Sequence, residues 1–386
     1  MPGLLSSSRL DELNAHCLGL EVQPVFRNLQ TGEFFPLVWR TLHRDLSHAL
    51  RRTFFAFTQG QTTHRPPHYH ALGRRAVTKA VWEIDGKLAG ISDSFDFLLQ
   101  VSPINTEEGW RWFKAHRFEK APVFHYRPLP IDPPSLKGQL YRIDLDRIED
   151  PSLGALFRDK RAELDRQLTM LLDRDTRNFF YGSLQLYGPV DERTRTMAEG
   201  VLGRLPGEVQ DELLTGEVAA EEFAQRARAE LDRYRAVLPE DGCEVIVTGE
   251  VAGLMVSKGC LLVSPGIRVP ADRVEALIEH EVGTHILTWQ NARQQRFRLL
   301  ASGLADYDEL QEGLAVLAEY LCGGLTAERM RLLAGRVVAC HHLQEGATFI
   351  ETYRRLVNEH NFERRTAYRI TTRVYRGGGL MKDAVY

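Results

Sequence analysis

Glu279-His280-Glu281-Val282-Gly283-Thr284-His285 is the stretch from which the rest of the chain is read. Its histidines and the acid beside the first of them follow the His-Glu-x-x-His pattern of metal-binding helices, with one residue added to give HExxxH. The addition matters. At about 3.6 residues per turn, positions i and i+4 lie about 40° apart and both imidazoles reach one ion, whereas i and i+5 lie about 140° apart and cannot. A regular helix therefore forbids a shared metal. A widened turn with i→i+5 bonding restores it, and such bulges favour functional sites. Gly283 is a place where the helix can deform, so a local irregularity is predicted between His280 and His285.

A catalytic zinc site takes three protein ligands and leaves a fourth position to water. Downstream, Asp308-Glu309-Leu310-Gln311-Glu312-Gly313-Leu314-Ala315-Val316-Leu317-Ala318-Glu319 reads as a second helix, roughly 306–323, stopped by Gly323-Gly324. Glu312 is the candidate third ligand, with Glu309 and Glu319 as other carboxylates on or near the same face. Gly313 and Ala315 are small enough for close approach. The competing reading is a polar helix face with no metal. Upstream, the runs 243–249 and 254–266 are strand-like, the second broken at Lys258-Gly259. A helix is expected from about Pro270, with Asp272 beside its N-terminal dipole. The strand 254–263, just before that helix, is placed like the edge strand with which zincins, whose motif HExxxH resembles, align an extended peptide by β-augmentation. Strand patterns cluster here and helices dominate elsewhere, so the fold class is α+β, with a small mixed or antiparallel sheet beside the histidine helix; the resemblance of HExxxH to the zincin motif implies a zincin-like arrangement.

Residues 1–66 read as an N-terminal extension and 67–386 as one unit, with an N-terminal lobe to about 240 and a catalytic lobe from about 241. Within the extension, Leu42, Leu46 and Leu50 recur at i, i+4 and i+8 among Arg40, Arg44, Arg51 and Arg52. This predicts an amphipathic basic helix whose apolar stripe docks on the rest of the protein. The Pro-rich RPPHYH marks the boundary, and its alternating His68 and His70 lack a nearby third ligand. Residues 71–100 read as helical with Phe95, Leu98 and Leu99 in the core, as do 152–173, 191–237 and most of the chain to about 360. Strands are expected at LYRIDL (140–145), FFYGSLQLY (179–187) and RITTRVY (369–375), and a turn at Pro239-Glu240-Asp241-Gly242. The final Ala384-Val385-Tyr386 still reads as part of an element, as in a chain that continues.

The composition places no obstacle in the way. The chain has 386 residues, 43% hydrophobic and 26% charged, with 49 Lys plus Arg against 52 Asp plus Glu. That is an ordinary globular balance, and the net charge of −3 gives no electrostatic case for nucleic acid as a partner. No stretch approaches the roughly 18 apolar residues of a membrane span, and the N-terminus meets Arg9 and Asp11 too early for a secretory signal. Cys17, Cys243, Cys260, Cys322 and Cys340 have no CxxC spacing, which fits a reducing cytoplasm.

HEVGTH followed by Gln311-Glu312-Gly313-Leu314-Ala315 resembles the QEGLA-motif proteins named for modulating flavohemoglobin expression. They have a vertebrate relative in the microtubule-associated tyrosine carboxypeptidase, a zinc enzyme. The resemblance runs from about residue 68 to the end and includes SDSFDFLLQ, APVFHYRPLP, RQLTML, YGSLQLYG and RVYRGGGLMKDAVY. It implies His280, His285 and Glu312 as ligands of one Zn2+ ion and Glu281 as general base. The expected reaction is hydrolysis of the C-terminal peptide bond of a peptide or protein, releasing an aromatic residue such as tyrosine. Tyr375, Arg373 and Arg376 are candidates for steadying the oxyanion. The substrate carboxylate needs a cation, and Lys258 is the first candidate, followed by Arg293, Arg296 and Lys382, with Arg373 and Arg376 in reach of the same role. His125, His341 and His342 read as structural or surface groups. Two alternatives stay open: a zinc amidase acting on a small peptide-like metabolite, and a regulatory protein with a structural zinc. Three ligands and a base, not four ligands, favour catalysis.

Overall fold

The computed structural model describes residues 12, 20–72, 77–148, 150–207, 216–235, 242–251 and 253–385. The expected signal-free N-terminus and all but Gly242 of the expected Pro239–Gly242 turn lie outside them. The chain forms two compact units, Met1–Ala76 with Asp150–Ser152, and Val77–Glu149 with Leu153–Tyr386.

In the first unit the basic amphipathic segment is the helix α1 (Pro36–Gln61), opened by a proline whose missing N–H costs nothing there. Its leucine stripe is half-buried rather than enclosed, and the helix has no fully buried residue. Trp39 packs its ring 4.9 Å from Phe26 and 5.6 Å from Phe34, and Arg51 pairs with Asp150 at 2.8 Å.

The second unit is mainly helical. Its first part comprises α2 (Lys79–Ser92), α3 (Phe97–Val101), α4 (Thr106–Ala115), α5 (Pro133–Tyr141), α6 (Pro151–Leu172, its first two residues in the first unit), α7 (Arg177–Tyr187) and α8 (Glu192–Arg204). Then come β1 (Glu217–Ala219), α9 (Ala220–Arg235), β2 (Glu244–Val247), β3 (Leu254–Ser257), β4 (Cys260–Val263) and β5 (Arg268–Pro270). The remainder is α10 (Val274–His280), α11 (Leu287–Arg293), α12 (Tyr307–Leu321), α13 (Ala327–Gln344), α14 (Phe349–Asn358) and α15 (Arg364–Tyr375). The architecture is α+β with small sheets. β2 pairs parallel with β4 and β4 pairs antiparallel with β3, so this sheet is mixed and β3 lies at its edge. The Lys258-Gly259 break is the hairpin turn, with φ of 49° and 79°, the left-handed pair that suits a right-twisted ribbon.

Three apolar clusters fill this unit. One gathers Ile84, Leu88, Phe97, Phe157, Leu164 and Leu168 from α2, α3 and α6. A second holds Phe113, Leu202, Val338, Tyr353, Ile370 and Val374. The third joins Val245, Leu261 and Val263 of the sheet to Phe223, Ile278, Val282 and Ile286, and so fixes the histidine helix against the strands.

Three expected strands do not form. LYRIDL spans the end of α5 and a 3-10 turn at Leu145–Arg147. FFYGSLQLY is α7, started by Thr176, whose side chain accepts from the Asn178 N–H. RITTRVY is the body of α15, where Glu363 caps Arg365 and Thr366 and the buried set Ala367, Ile370, Thr371 and Val374 has helical spacing. Burial of one helical face overrides the β preference of Phe, Tyr, Ile, Thr and Val. The helix expected from Pro270 instead begins at Val274, after a 3-10 turn at Ala271–Arg273 that holds Asp272.

Candidate metal centre

Between α10 and α11 the chain makes a π-helical turn, Glu281–Ile286, where the extra residue between the histidines predicts one. Two local features favour it. Val282 and Ile286 are buried in the sheet-facing core, which holds their side of the turn. Thr284 Oγ1 donates at 3.0 Å to the Glu279 carbonyl, five residues back. At Gly283 a Cβ would stand 2.5 Å from a Glu279 carboxylate oxygen, so glycine leaves that side chain its place.

The wide turn brings the imidazoles together. The His280 and His285 rings lie 4.9 Å apart at 80°, and ligand atoms of His280, Glu281 and His285 all fall within 4.8 Å of one another. α12 supplies Glu312, whose Oε2 is 4.0 Å from both His280 Nε2 and His285 Nε2. Ala315, fully buried one turn along, lets α12 approach α10. Of the other carboxylates on α12, Glu309 is exposed, while Glu319 is fully buried and bonded to His280 Nδ1 at 2.7 Å.

Both imidazoles turn Nε2 toward Glu312 and engage Nδ1 elsewhere. Beside His285 Nδ1, at 3.1 Å, is the Gln311 amide; turned to present its oxygen, it accepts from Nδ1–H. Burial, ahead of the His280 and Lys382 charges, lowers the His285 pKa against the pull of Glu281 and Glu312, which favours the neutral, ligating form. Burial by itself raises the Glu312 carboxyl, but Lys382, His285, His280 and Arg373 outweigh it and hold the group well below the usual carboxylate range. Two imidazoles and one ionised carboxylate, with an acid alongside, make a donor set of the kind catalytic zinc sites use.

The remaining predicted residues are dispersed. Lys382 is buried, with Nζ 3.2 Å from Glu312 Oε1 and 3.1 Å from Asp308 Oδ1, so it sits on the candidate ligand itself. Arg373 grips Asp383 through two bonds of 2.6 and 2.9 Å, and Arg376 Nη1 donates to Ser102 at 3.1 Å. Lys258 donates to the Asp93 carbonyl at 2.7 Å at the hairpin tip. Arg293 and Arg296 stack over Trp289 and Trp82, at 4.8 and 4.9 Å. Tyr375 packs on Phe349, and its hydroxyl bonds Thr352 Oγ1 at 2.8 Å and donates to the Ala347 carbonyl. That hydroxyl is thereby committed to a helix junction.

Sequence reasoning gave no role to Gln311 or Glu319 as partners of the histidines. A signal existed for both: Gln311 adjoins Glu312, and Glu319 follows it by seven residues, two turns along one face. Among the described residues no other group of His, Cys, Asp or Glu has metal-holding geometry, and no helix is long and apolar enough to cross a membrane. A model of the microtubule-associated tyrosine carboxypeptidase family matches residues 111–386, which include the π-turn, α12 and Lys382. No curated protein and no solved structure matches the chain.

Proposed function

Because this chain belongs to the microtubule-associated tyrosine carboxypeptidase family, we propose that it is a zinc-dependent carboxypeptidase that releases a C-terminal aromatic residue, such as tyrosine, from a peptide or protein. The observation that carries the reading is the equal 4.0 Å approach of both Nε2 atoms to Glu312 Oε2 across the π-turn. His280, His285 and Glu312 would hold one Zn2+ ion. When bound, zinc supplies Lewis acidity, lowering the pKa of a water molecule and polarising the scissile carbonyl. Glu281, next to His280 in the chain and within 4.8 Å of both histidines' ligand atoms, takes the proton of the attacking water and hands it to the leaving amine.

A zincin-like arrangement belongs to the same reading, with β3 as the edge strand along which an extended substrate pairs. So does kinship with the QEGLA-motif proteins, through Gln311–Ala315. Lys258, Arg293, Arg373, Arg376 and Lys382 are the proposed cations for the substrate's carboxylate. Lys382, already on Glu312, doubles as the neutraliser of that ligand's second oxygen. The test is a set of peptides ending in Tyr, Phe, Leu or Glu, each free or amidated at the C-terminus, with the released amino acid quantified. Free peptides ending in Tyr and Phe should lose one residue while their amides stay intact. Equal cleavage of amides would contradict an exopeptidase and favour an amidase. Zinc binding without any cleavage would favour a regulatory protein.

A further inference from the structure

We infer that Glu319 is a positioning residue that fixes His280 in the tautomer and orientation directing its Nε2 lone pair at the metal, an inference that rests on His280 being a zinc ligand. Glu319 has no exposed surface. Its Oε1 accepts from His280 Nδ1 at 2.7 Å and from Arg329 Nη2 at 2.7 Å; its Oε2 accepts from Arg273 Nη2 at 2.6 Å and Arg329 Nε at 3.0 Å. A carboxylate held by two guanidinium groups stays ionised and can only accept, so the His280 proton lies on Nδ1 and the lone pair on Nε2.

Three elements build this contact. Arg273 comes from the turn before α10, Arg329 from the first turn of α13, and Glu319 from α12. Arg273 also donates through Nη1 to the Gly324 carbonyl, just past the end of α12. A Cβ on Gly324 would stand 2.3 Å from that of Ala276 in α10, so the glycine permits the close approach that lets Glu319 reach His280. A hub serving only to tie helices together requires the arginines and not the imidazole. The bond to His280 Nδ1, on the ring edge opposite the one facing Glu312, points to the metal, because outer carboxylates orient ligating imidazoles and raise their basicity.

The experiment uses the full chain. Proton–nitrogen correlation spectra of the histidine rings in metal-free protein, assigned with His280→Gln, should show His280 protonated at Nδ1; protonation at Nε2 would overturn the proposal without any variant having to fold. Zinc affinity by chelator competition should then fall roughly 10–100-fold in Glu319→Gln. Arg273→Lys disturbs the same hub but leaves the carboxylate on His280, and should stay near wild-type affinity. Equal losses in the two variants, or unchanged affinity in Glu319→Gln, would reduce Glu319 to a structural tie and refute the role. Failure of the wild-type chain to bind zinc would instead remove the reading of His280 as a ligand, a separate outcome from either.

Discussion

Glu281 and Glu319 flank the same imidazole, and their surroundings assign them different work. Glu319 is saturated by cations and donors and is fixed in place, whereas Glu281 lies beside both candidate ligand histidines on the π-turn. His342 is a contrasting histidine: read from sequence as a structural or surface group, it is buried in α13. Burial first, then the charges of Arg355, His360 and His341, lowers its pKa from 6.5 to about 4. Between those values the unfolded chain binds a proton that the folded chain refuses, so stability falls as pH drops from about 6.5 toward 4, by up to about 3 kcal/mol. His342→Gln should flatten this part of the pH–stability curve. Denaturant unfolding at pH values across that window tests it; parallel curves for wild type and variant would contradict the assignment. The fixed charge of Glu319 and the low pKa of His342 were not legible in the sequence, because each depends on groups from other elements.

At the scale of elements, the π-turn was legible because spacing is geometry: two histidines five positions apart cannot share a face in an α-helix. The β3–β4 hairpin was legible from Lys258-Gly259 for the same kind of reason, a demand on φ. Here Gly259 does two things. It takes φ of 79°, and a Cβ would meet the Trp289 ring at 2.3 Å, four residues after His285. Gly259→Ala should therefore destabilise the chain by roughly 1–3 kcal/mol, read as a shift of the denaturation midpoint. An unshifted midpoint would show that the hairpin and α11 do not press on each other there. What was illegible was α7 and α15. Composition described their Phe, Tyr, Ile and Thr residues as strand formers, while Thr176 and Glu363 caps and one buried face make them helices. In α15 the spacing of 367, 370, 371 and 374 carried the helix, and β-branched content masked it.

Over the whole molecule, a net charge of −3 leaves no general field to draw in an anionic substrate. Anion recognition has to come from placed cations, and the structure commits several of these to partners of its own: Arg373 to Asp383 and Lys382 to Asp308 and Glu312. The C-terminal segment thereby reaches the centre through Lys382, 70 residues after Glu312, a link that spacing along the chain did not reveal. The central claim is that His280, His285 and Glu312 hold zinc for a reaction whose proton Glu281 carries. Its most direct test is the rate of single-residue release from a peptide ending in tyrosine, by zinc-quantified wild type and Glu281→Gln. The account predicts one zinc in both proteins and turnover roughly 10²–10⁴-fold slower in the variant. Undiminished release by Glu281→Gln, or an intact peptide after incubation with zinc-loaded wild type, would contradict it.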